Sequence, residues 1–564
     1  MVHDEFIYED CIAYFSMEIG LQNEIHTYSG GLGILAGDML RSAAELELPL
    51  VGITLVSRAG YLYQEIGDQG QQMEHEDYWK PEDWSQSLEA KIAVTIESRK
   101  VWVKGWLYLM EGLFENRKLP VILLDTDLDD NNDEDRKITH YLYGGDNTYR
   151  LKQEIVLGIG GVRMLRALGF NVRKYHLNEG HSALLTLELL RDHIYPEDEI
   201  KWEKMRYDIP AVRDLCVFTA HTPEKAGQDE FSYELFQKTL GDFIDMEILK
   251  SLAGEDSVNM TQLALNLSEY VNGVAKSHAE TSRELYPGYH IRSVTNGVHP
   301  CTWTHESFAE LYDKYMKGWR HEPELLVRAD QIPDEAIWEA HMDSKKELIS
   351  IVKKMVKVDM DKNIPILGFA RRMTSYKRAD IIFSDIDRLK SIADEWPFQL
   401  VFAGKAHPKD DEGKGIIKTI HNYIDDLSSD IRIAYLPNYN MDMALSIVSG
   451  VDIWLNTPLP PREASGTSGM KAAFNGVPNL SILDGWWIEG CIEGVTGWAI
   501  GDEDSDPDND YESLYRKLEQ TVLPMYHNDR ASWISVMKGI ISKNAPFFNS
   551  HRMMRRYGIE AYLF

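Results

Sequence analysis

Residues 463–471 read Glu463-Ala-Ser-Gly-Thr-Ser-Gly-Met-Lys471. A strand-like apolar run, Val451 to Leu455, and a proline break at Pro458, Pro460 and Pro461 precede them, and a helix-compatible segment runs from Lys471 to a stop at Gly476. A Gly/Ser/Thr turn feeding a helix gathers backbone N–H groups and the positive end of the helix dipole in one place, which suits a phosphate. A lysine one turn further on can carry an aldehyde cofactor as a Schiff base if burial lowers its pKa. The same letters also fit an ordinary strand–turn–helix joint whose lysine faces water, so the turn alone decides nothing.

The alternation around it does. Upstream, Ile364 to Ala370 is a strand that runs into Arg371-Arg-Met-Thr-Ser-Tyr-Lys-Arg378, and further strands start at Leu400, Ile433 and Leu480. Near the start of the chain, Ile12 to Met17 reads as a buried strand. Gly30, Gly31 and Gly33 then head an amphipathic helix through Ala36, Leu40 and Ala44, and another strand opens at Leu50. Strand and helix alternating in both halves mark an α/β protein, and in open α/β sheets ligands gather at the C-terminal strand ends. Glycines there let the backbone approach a ligand closely. Four basic residues within eight positions, Arg371 to Arg378, are a local anomaly in an acidic chain, and guanidinium with ammonium is how proteins grip phosphate.

Composition limits the partners. With 90 acidic and 59 basic residues the net charge is −31 over 564 residues, which argues against nucleic acid and anionic membrane. Four scattered cysteines (Cys11, Cys216, Cys301, Cys491) lack metal or redox spacing and suit a reducing, cytoplasmic setting. No apolar run is long enough to span a bilayer, and the acidic start Met-Val-His-Asp-Glu-Phe is not signal-like. No metal site is expected. Asp125 to Asp135 has Asp130 where a calcium loop needs glycine, and reads as a solvated acidic loop. His176-Leu-Asn-Glu-Gly-His181 has none of the usual zinc spacings. Gly158-Ile-Gly-Gly-Val-Arg lacks a third fingerprint glycine and carries apolar residues at helical spacing, so it reads as core.

Taken in order from about Ala13 to Gly494, these segments resemble the α-glucan (glycogen, starch, maltodextrin) phosphorylases, and Lys471 falls on that family's pyridoxal 5′-phosphate (PLP) lysine. The resemblance implies two Rossmann-like domains of GT-B architecture with the active site in the inter-domain cleft. The expected boundaries are 1–300 for glucosyl binding, 301–544 for PLP and phosphate, and 545–564 crossing back to the first domain. It places Gly30 and Gly31 against the transferred glucose and phosphate, and Glu179 in the glucosyl site, where the family usually has aspartate. His221 lies beside the anomeric carbon, and Asn296 on the glucose 6-hydroxyl. Arg372 and Lys377 hold the substrate phosphate, and Arg371 neighbours the cofactor phosphate. Trp303, Tyr439, Thr467 and Ser468 line the cofactor, while Glu463, Ser465 and Gly466 hold the sugar 3- and 4-hydroxyls. Asn440 stands where better-known members place an arginine on the cofactor phosphate. The activity implied is reversible phosphorolysis with retention, consuming inorganic phosphate and releasing glucose 1-phosphate, in a possible homodimer. A nucleotide-sugar-dependent glycosyltransferase of glycogen synthase type would need no lysine Schiff base. A non-catalytic glycan-binding protein would not need Lys471, Arg372, Lys377 and His221 together.

Overall fold

Residues 10–112, 118–195, 206–224, 227–501 and 509–563 are described by the computed structural model of the chain. Residues 1–6 of the acidic start, Lys225 and Ala226 after His221, and Phe564 at the end of the C-terminal segment lie outside them. Two units divide the chain: Met1–Leu62 with Glu76–Val294 and Met554–Phe564, and Tyr63–His75 with Thr295–Met553.

In the first unit, β1 (Cys11–Ser16) and β2 (Leu50–Leu55) are buried at every position, as parallel strands covered on both faces must be. Between them runs the helix Gly31–Glu45. The hairpin of β3 (Tyr63–Ile66) and β4 (Gln72–His75) belongs to the second unit. The long strands β5 (Gln86–Ile96) and β6 (Arg99–Glu111) are antiparallel to each other, and β6 is antiparallel to β7 (Lys118–Asp125). Burial along β5 largely alternates, as it does on an edge with one solvated face. Then follow β8 (Val172–Asn178), β9 (Cys216–Thr219), the short ladder of β10 (Glu230–Phe231) with β11 (Val258–Asn259), β12 (Tyr270–Gly273) and β13 (Arg292–Ser293). The nine-stranded sheet has the order β13-β12-β9-β8-β1-β2-β7-β6-β5.

Its register aligns Ser16, Asn178, Thr219 and Asn272 across four neighbouring strands at their C-terminal ends. This polar row is closed internally: Asn178 Nδ2 donates to Ser16 Oγ at 3.0 Å, and Thr219 Oγ1 donates to Asn272 Oδ1 at 3.0 Å. The C-terminal segment completes it. Tyr562 Oη lies 2.6 Å from His176 Nδ1, and Asn272 Nδ2 donates to Tyr557 Oη at 2.9 Å. The Gly158 region is helical core as expected, but with a π-turn at Val156–Gly160. A Cβ on Gly158 would lie 2.6 Å from the Leu185 backbone nitrogen, so glycine there serves close helix packing.

The acidic stretch Asp125 to Asp135 is not uniformly solvated. Asp125 and Asp135 are buried at its two ends, Asp125 on Arg58 (2.7 Å) and Trp106 Nε1 (2.8 Å), Asp135 on Arg99 (3.0 Å). Their cations come from distant strands and loops, which local composition does not reveal.

The second unit carries β14 (Ile366–Ala370), β15 (Gln399–Ala403), β16 (Arg432–Leu436), β17 (Ile453–Asn456), β18 (Asn479–Ile482) and β19 (Gly497–Ile500). All pair in parallel in the order β16-β15-β14-β17-β18-β19. Counted within the unit this is 3-2-1-4-5-6, a doubly wound sheet whose order reverses between β14 and β17. At the base of these two strands Asp452 is wholly buried and accepts from Lys345 (2.7 Å), from the Ile366 amide (2.8 Å) and from His341 Nε2 (2.9 Å). The β3–β4 hairpin docks just past the C-terminal ends of β15 and β16. Gln64 and Asn438 exchange amide contacts (3.2 and 2.9 Å), and Gln72 bridges Ala406 through both of its backbone polar groups. Among the described residues no helix is long and apolar enough to cross a membrane.

Candidate active site

At the strand ends of the first unit, Glu18 follows β1 and is buried. Its Oε2 accepts from the Ser29 amide (2.6 Å), Ser29 Oγ (3.1 Å) and the Gly30 amide (3.2 Å). Its Oε1 accepts from the Tyr143 hydroxyl at 2.9 Å, and the Tyr143 ring stacks on Arg150 at 4.4 Å. Arg150 pairs with Asp229 at 2.9 Å, where His181 Nε2 also approaches to 3.3 Å. Gly30, next to Gly31, is thus fixed by a carboxylate that the sequence did not single out. A Cβ on either glycine would meet no heavy atom within 4 Å, so packing within the protein does not call for glycine at these two positions. Open space beside a pinned backbone is room for a ligand.

Glu179 follows β8 directly with a φ of +72°, a left-handed conformation that costs a non-glycine residue about 1–3 kcal/mol. The arrangement offsets that strain. One carboxylate oxygen accepts from the Gly180 amide (3.1 Å), the other from the His221 amide (2.8 Å) and Thr222 Oγ1 (3.1 Å). Glu179 therefore holds the His221 loop with both oxygens, and burial raises its pKa despite these bonds. His221 Nε2 lies 2.7 Å from Asn178 Oδ1, an acceptor, so Nε2 carries the proton and Nδ1 is left as an acceptor. Burial, with the nearby His278, His176 and His181 rings, lowers the His221 pKa to about 3, so the ring is neutral at pH 7.

In the second unit the reversal point between β14 and β17 gathers the cations. Arg371 follows β14 directly, and its Nη2 donates to Glu463 Oε2 at 2.6 Å while Nη1 donates to Asn456 at the end of β17. Lys377 Nζ donates to the same Glu463 oxygen. Burial would raise the Glu463 pKa, but Arg371 and Lys377 outweigh it and hold it at about 2. Burial and then the Arg371 charge lower the Lys377 pKa, against the pull of Glu463. Arg371 Nε is buried without a hydrogen-bond partner among the described residues, a spare donor. Arg372 is exposed, and its charge bears on Tyr376 and His407. The two cations brought onto Glu463 are thus Arg371 and Lys377.

Beyond Glu463 the chain turns through buried Ser465 and Gly466, whose φ of +74° only glycine adopts without strain. Thr467 is the N-cap of the short helix Ser468–Ala473, and its hydroxyl makes no capping bond to that helix. Ser468 Oγ accepts from Trp454 Nε1 at 3.2 Å. Lys471 is buried, its Nζ 3.5 Å from the centroid of the Trp303 ring. Asn475 ties the two together, donating to the backbone oxygens of both Trp303 (2.7 Å) and Lys471 (2.9 Å). Asn296 Oδ1 is buried without a partner among the described residues. Tyr439 is half-buried against the β14–β17 core, and Asn440 caps the helix Met441–Gly450 by accepting from the Met443 amide at 2.9 Å. The position expected to carry a cofactor-facing arginine is therefore a helix cap here. These donors fit an aldehyde- and phosphate-bearing cofactor: a buried primary amine on an indole face, a glycine turn and a spare guanidinium nitrogen.

A mixed α/β chain with a doubly wound sheet and a cationic centre at its reversal point belongs to the open α/β class, in which ligands gather at the C-terminal strand ends. The comparisons narrow that class. A family model described as carbohydrate phosphorylase matches residues 242–495. The chain is 38% identical to a maltodextrin phosphorylase of Thermococcus litoralis, over 98% of this chain and 70% of that protein. It is 35% identical to a glycogen phosphorylase of Aquifex aeolicus, over 98% of this chain and 86% of that one. An uncharacterized protein of Methanocaldococcus jannaschii is 31% identical, over 98% of this chain and 99% of its own length. The chain belongs to the carbohydrate phosphorylase family.

Proposed function

We propose that this chain is an α-glucan phosphorylase that cleaves the non-reducing end of an α-1,4-glucan with inorganic phosphate and releases glucose 1-phosphate, reversibly and with retention. The observation that carries the reading is the convergence of Arg371 and Lys377 on one oxygen of Glu463, in a turn whose helix carries the buried Lys471. Two cations sharing one carboxylate keep net positive charge for an anion in a site screened from water. Lys377 and Arg371 hold the substrate phosphate, and Arg372 adds long-range attraction from its exposed position. The Glu463 carboxylate, Ser465 and Gly466 meet the sugar 3- and 4-hydroxyls. Asn296 Oδ1 accepts from a glucose hydroxyl, as the neutral His221 Nδ1 does. The Gly31 amide faces the transferred group. Positioning and charge, not a protein nucleophile, carry the rate.

Pyridoxal 5′-phosphate, carried on Lys471, supplies when bound a phosphate group that exchanges a proton with the substrate phosphate. Trp303, Tyr439, Thr467, Ser468 and Arg371 are the residues that would hold it. The reading includes GT-B architecture: two Rossmann-like domains, 1–300 and 301–544, a returning segment 545–564 and a site in the cleft between the domains. The compact units dividing at Val294 and Met553 support it. A homodimer in the cytoplasm is the setting proposed.

An absorbance spectrum before and after borohydride reduction, with peptide mapping, tests the cofactor. A pyridoxal chromophore fixed on Lys471 and phosphate-dependent glucose 1-phosphate release from maltodextrin are the expected results. A protein that stays colourless with added cofactor, and transfers glucose from a nucleotide sugar instead, refutes the reading.

A further inference from the structure

Asp484 stands two residues after β18, buried against the Glu463 turn. Its Oδ2 accepts from the Glu463 amide at 2.9 Å, and its Oδ1 from the Gly485 amide at 2.8 Å. The next two residues close the contact. Trp486 N–H donates to the Ser465 carbonyl at 2.8 Å. Gly485 has a φ of +54°, and a Cβ there would fall 2.3 Å from the Ser465 oxygen and 2.9 Å from that of Glu463. Residues 484–486 and 463–465 therefore lie backbone to backbone with no room for a side chain between them. Asp484 is the charged member of this clamp, one residue's backbone away from the carboxylate that holds Arg371 and Lys377.

We propose that Asp484 is a positioning residue for the phosphate grip: it fixes the Glu463 backbone, and with it the point where Arg371 and Lys377 meet, and its charge sets how tightly that pair binds an anion. The inference rests on the reading of Arg371 and Lys377 as the phosphate grip. Burial, with Glu463 nearby, pushes the Asp484 carboxyl up to about 7 against the two amide bonds and the Lys377 charge, so its charge changes across neutrality. The other groups around this centre are Glu463, Lys377 and Arg371 on the shared carboxylate, and Tyr376 beside Lys377. His407, lowered by burial and then by the Arg372 charge, titrates below its ordinary value. As pH rises through 7, Asp484 gains negative charge and the pair should bind anions less well.

Sulfate is the probe, since it stays a dianion across about pH 5–9 while phosphate itself titrates in that window. The expected result for the wild-type protein is a sulfate Kd that rises about fivefold between about pH 6 and 8, the effect of one added charge in a partly screened site. Asp484→Asn, which keeps one acceptor for the Glu463 amide, should flatten that dependence and bind at high pH as the wild type does at low pH. Asp484→Ala should also raise the KM for phosphate about tenfold with little change in the KM for glucan, a split that general loss of stability does not produce. An Asp484→Asn protein with the wild-type slope overturns the proposal. Should that variant fail to fold, a wild-type profile with no break between about pH 6 and 8 overturns it equally. A wild-type protein that binds no sulfate at any pH overturns the phosphate-grip reading itself, and this inference with it.

Discussion

Gly31→Ala separates packing from ligand contact. Gly31 opens the helix Gly31–Glu45, its N-cap Gly30 is extended (φ −164°, ψ −151°), and a Cβ at Gly31 meets no heavy atom within 4 Å. Alanine has no steric cost there and lowers the entropy of the unfolded chain, so stability should hold or rise by up to about 1 kcal/mol. Activity should not hold. If the transferred group sits against this amide, a methyl displaces it by about 1 Å, worth about a hundredfold in kcat/KM, or about 2.7 kcal/mol of transition-state stabilisation. Gly33→Ala is the control with opposite logic: its Cβ would lie 2.7 Å from Glu18 Oε2 and 2.8 Å from Tyr28 Cβ. That side chain must displace the carboxylate from Ser29 and Gly30, a loss of about 1–3 kcal/mol in stability. Thermal and urea unfolding, with initial rates of glucose 1-phosphate release, read both variants. Gly31→Ala with wild-type kcat/KM would refute the assignment of that open space to ligand, and a large fall in its stability would refute the packing argument.

Other outcomes follow from single contacts. Lys471→Ala should fold, with the contact on the Trp303 ring, about 0.5–2 kcal/mol, among what it loses, and should take no borohydride-fixed label. Asp452→Asn leaves Lys345 buried without its counter-charge and should destabilise the second unit by about 3–5 kcal/mol, read as faster amide exchange in β14. Burial would raise the Asp452 pKa, but Lys345 and then His341 hold it at about 2, below an unfolded value of about 4. Its contribution is therefore present above about pH 4 and lost as pH falls toward about 2, a loss that acid unfolding of the Asp452→Asn variant should not repeat. Tyr562→Phe removes the hydroxyl bound to His176 Nδ1 and should cost about 1–3 kcal/mol in thermal unfolding of the first unit.

Much of this was legible before any coordinates. The strand–glycine–helix start and the basic run after Ala370 each carry their meaning in a few consecutive residues, a hydrophobic period and a strand end, whereas the Glu463–Lys471 turn took its meaning from the strands and helices around it. Glu18 and Asp484 were not legible as site residues, because each acts through backbone amides of a distant loop and has no local signature. Nor was the true partner set of the cations. Arg371 and Glu463 are 92 positions apart, and Arg371 rather than its neighbour Arg372 turns inward to share that carboxylate with Lys377. The acidic stretch misled for the same reason, since Arg58 and Arg99 reach Asp125 and Asp135 from elsewhere.

The α/β class, the family resemblance and the loops that carry chemistry could be read from runs of consecutive residues. These rest on local signals of φ, period and charge. The tertiary structure alone decided that β14 and β17 lie side by side, that the hairpin Tyr63–His75 and the segment Met554–Phe564 each join the unit distant in sequence, and which carboxylate each cation meets. The physical reason is that strand order is settled by covering both faces of a sheet and pairing its edges, conditions met only when the whole chain has folded.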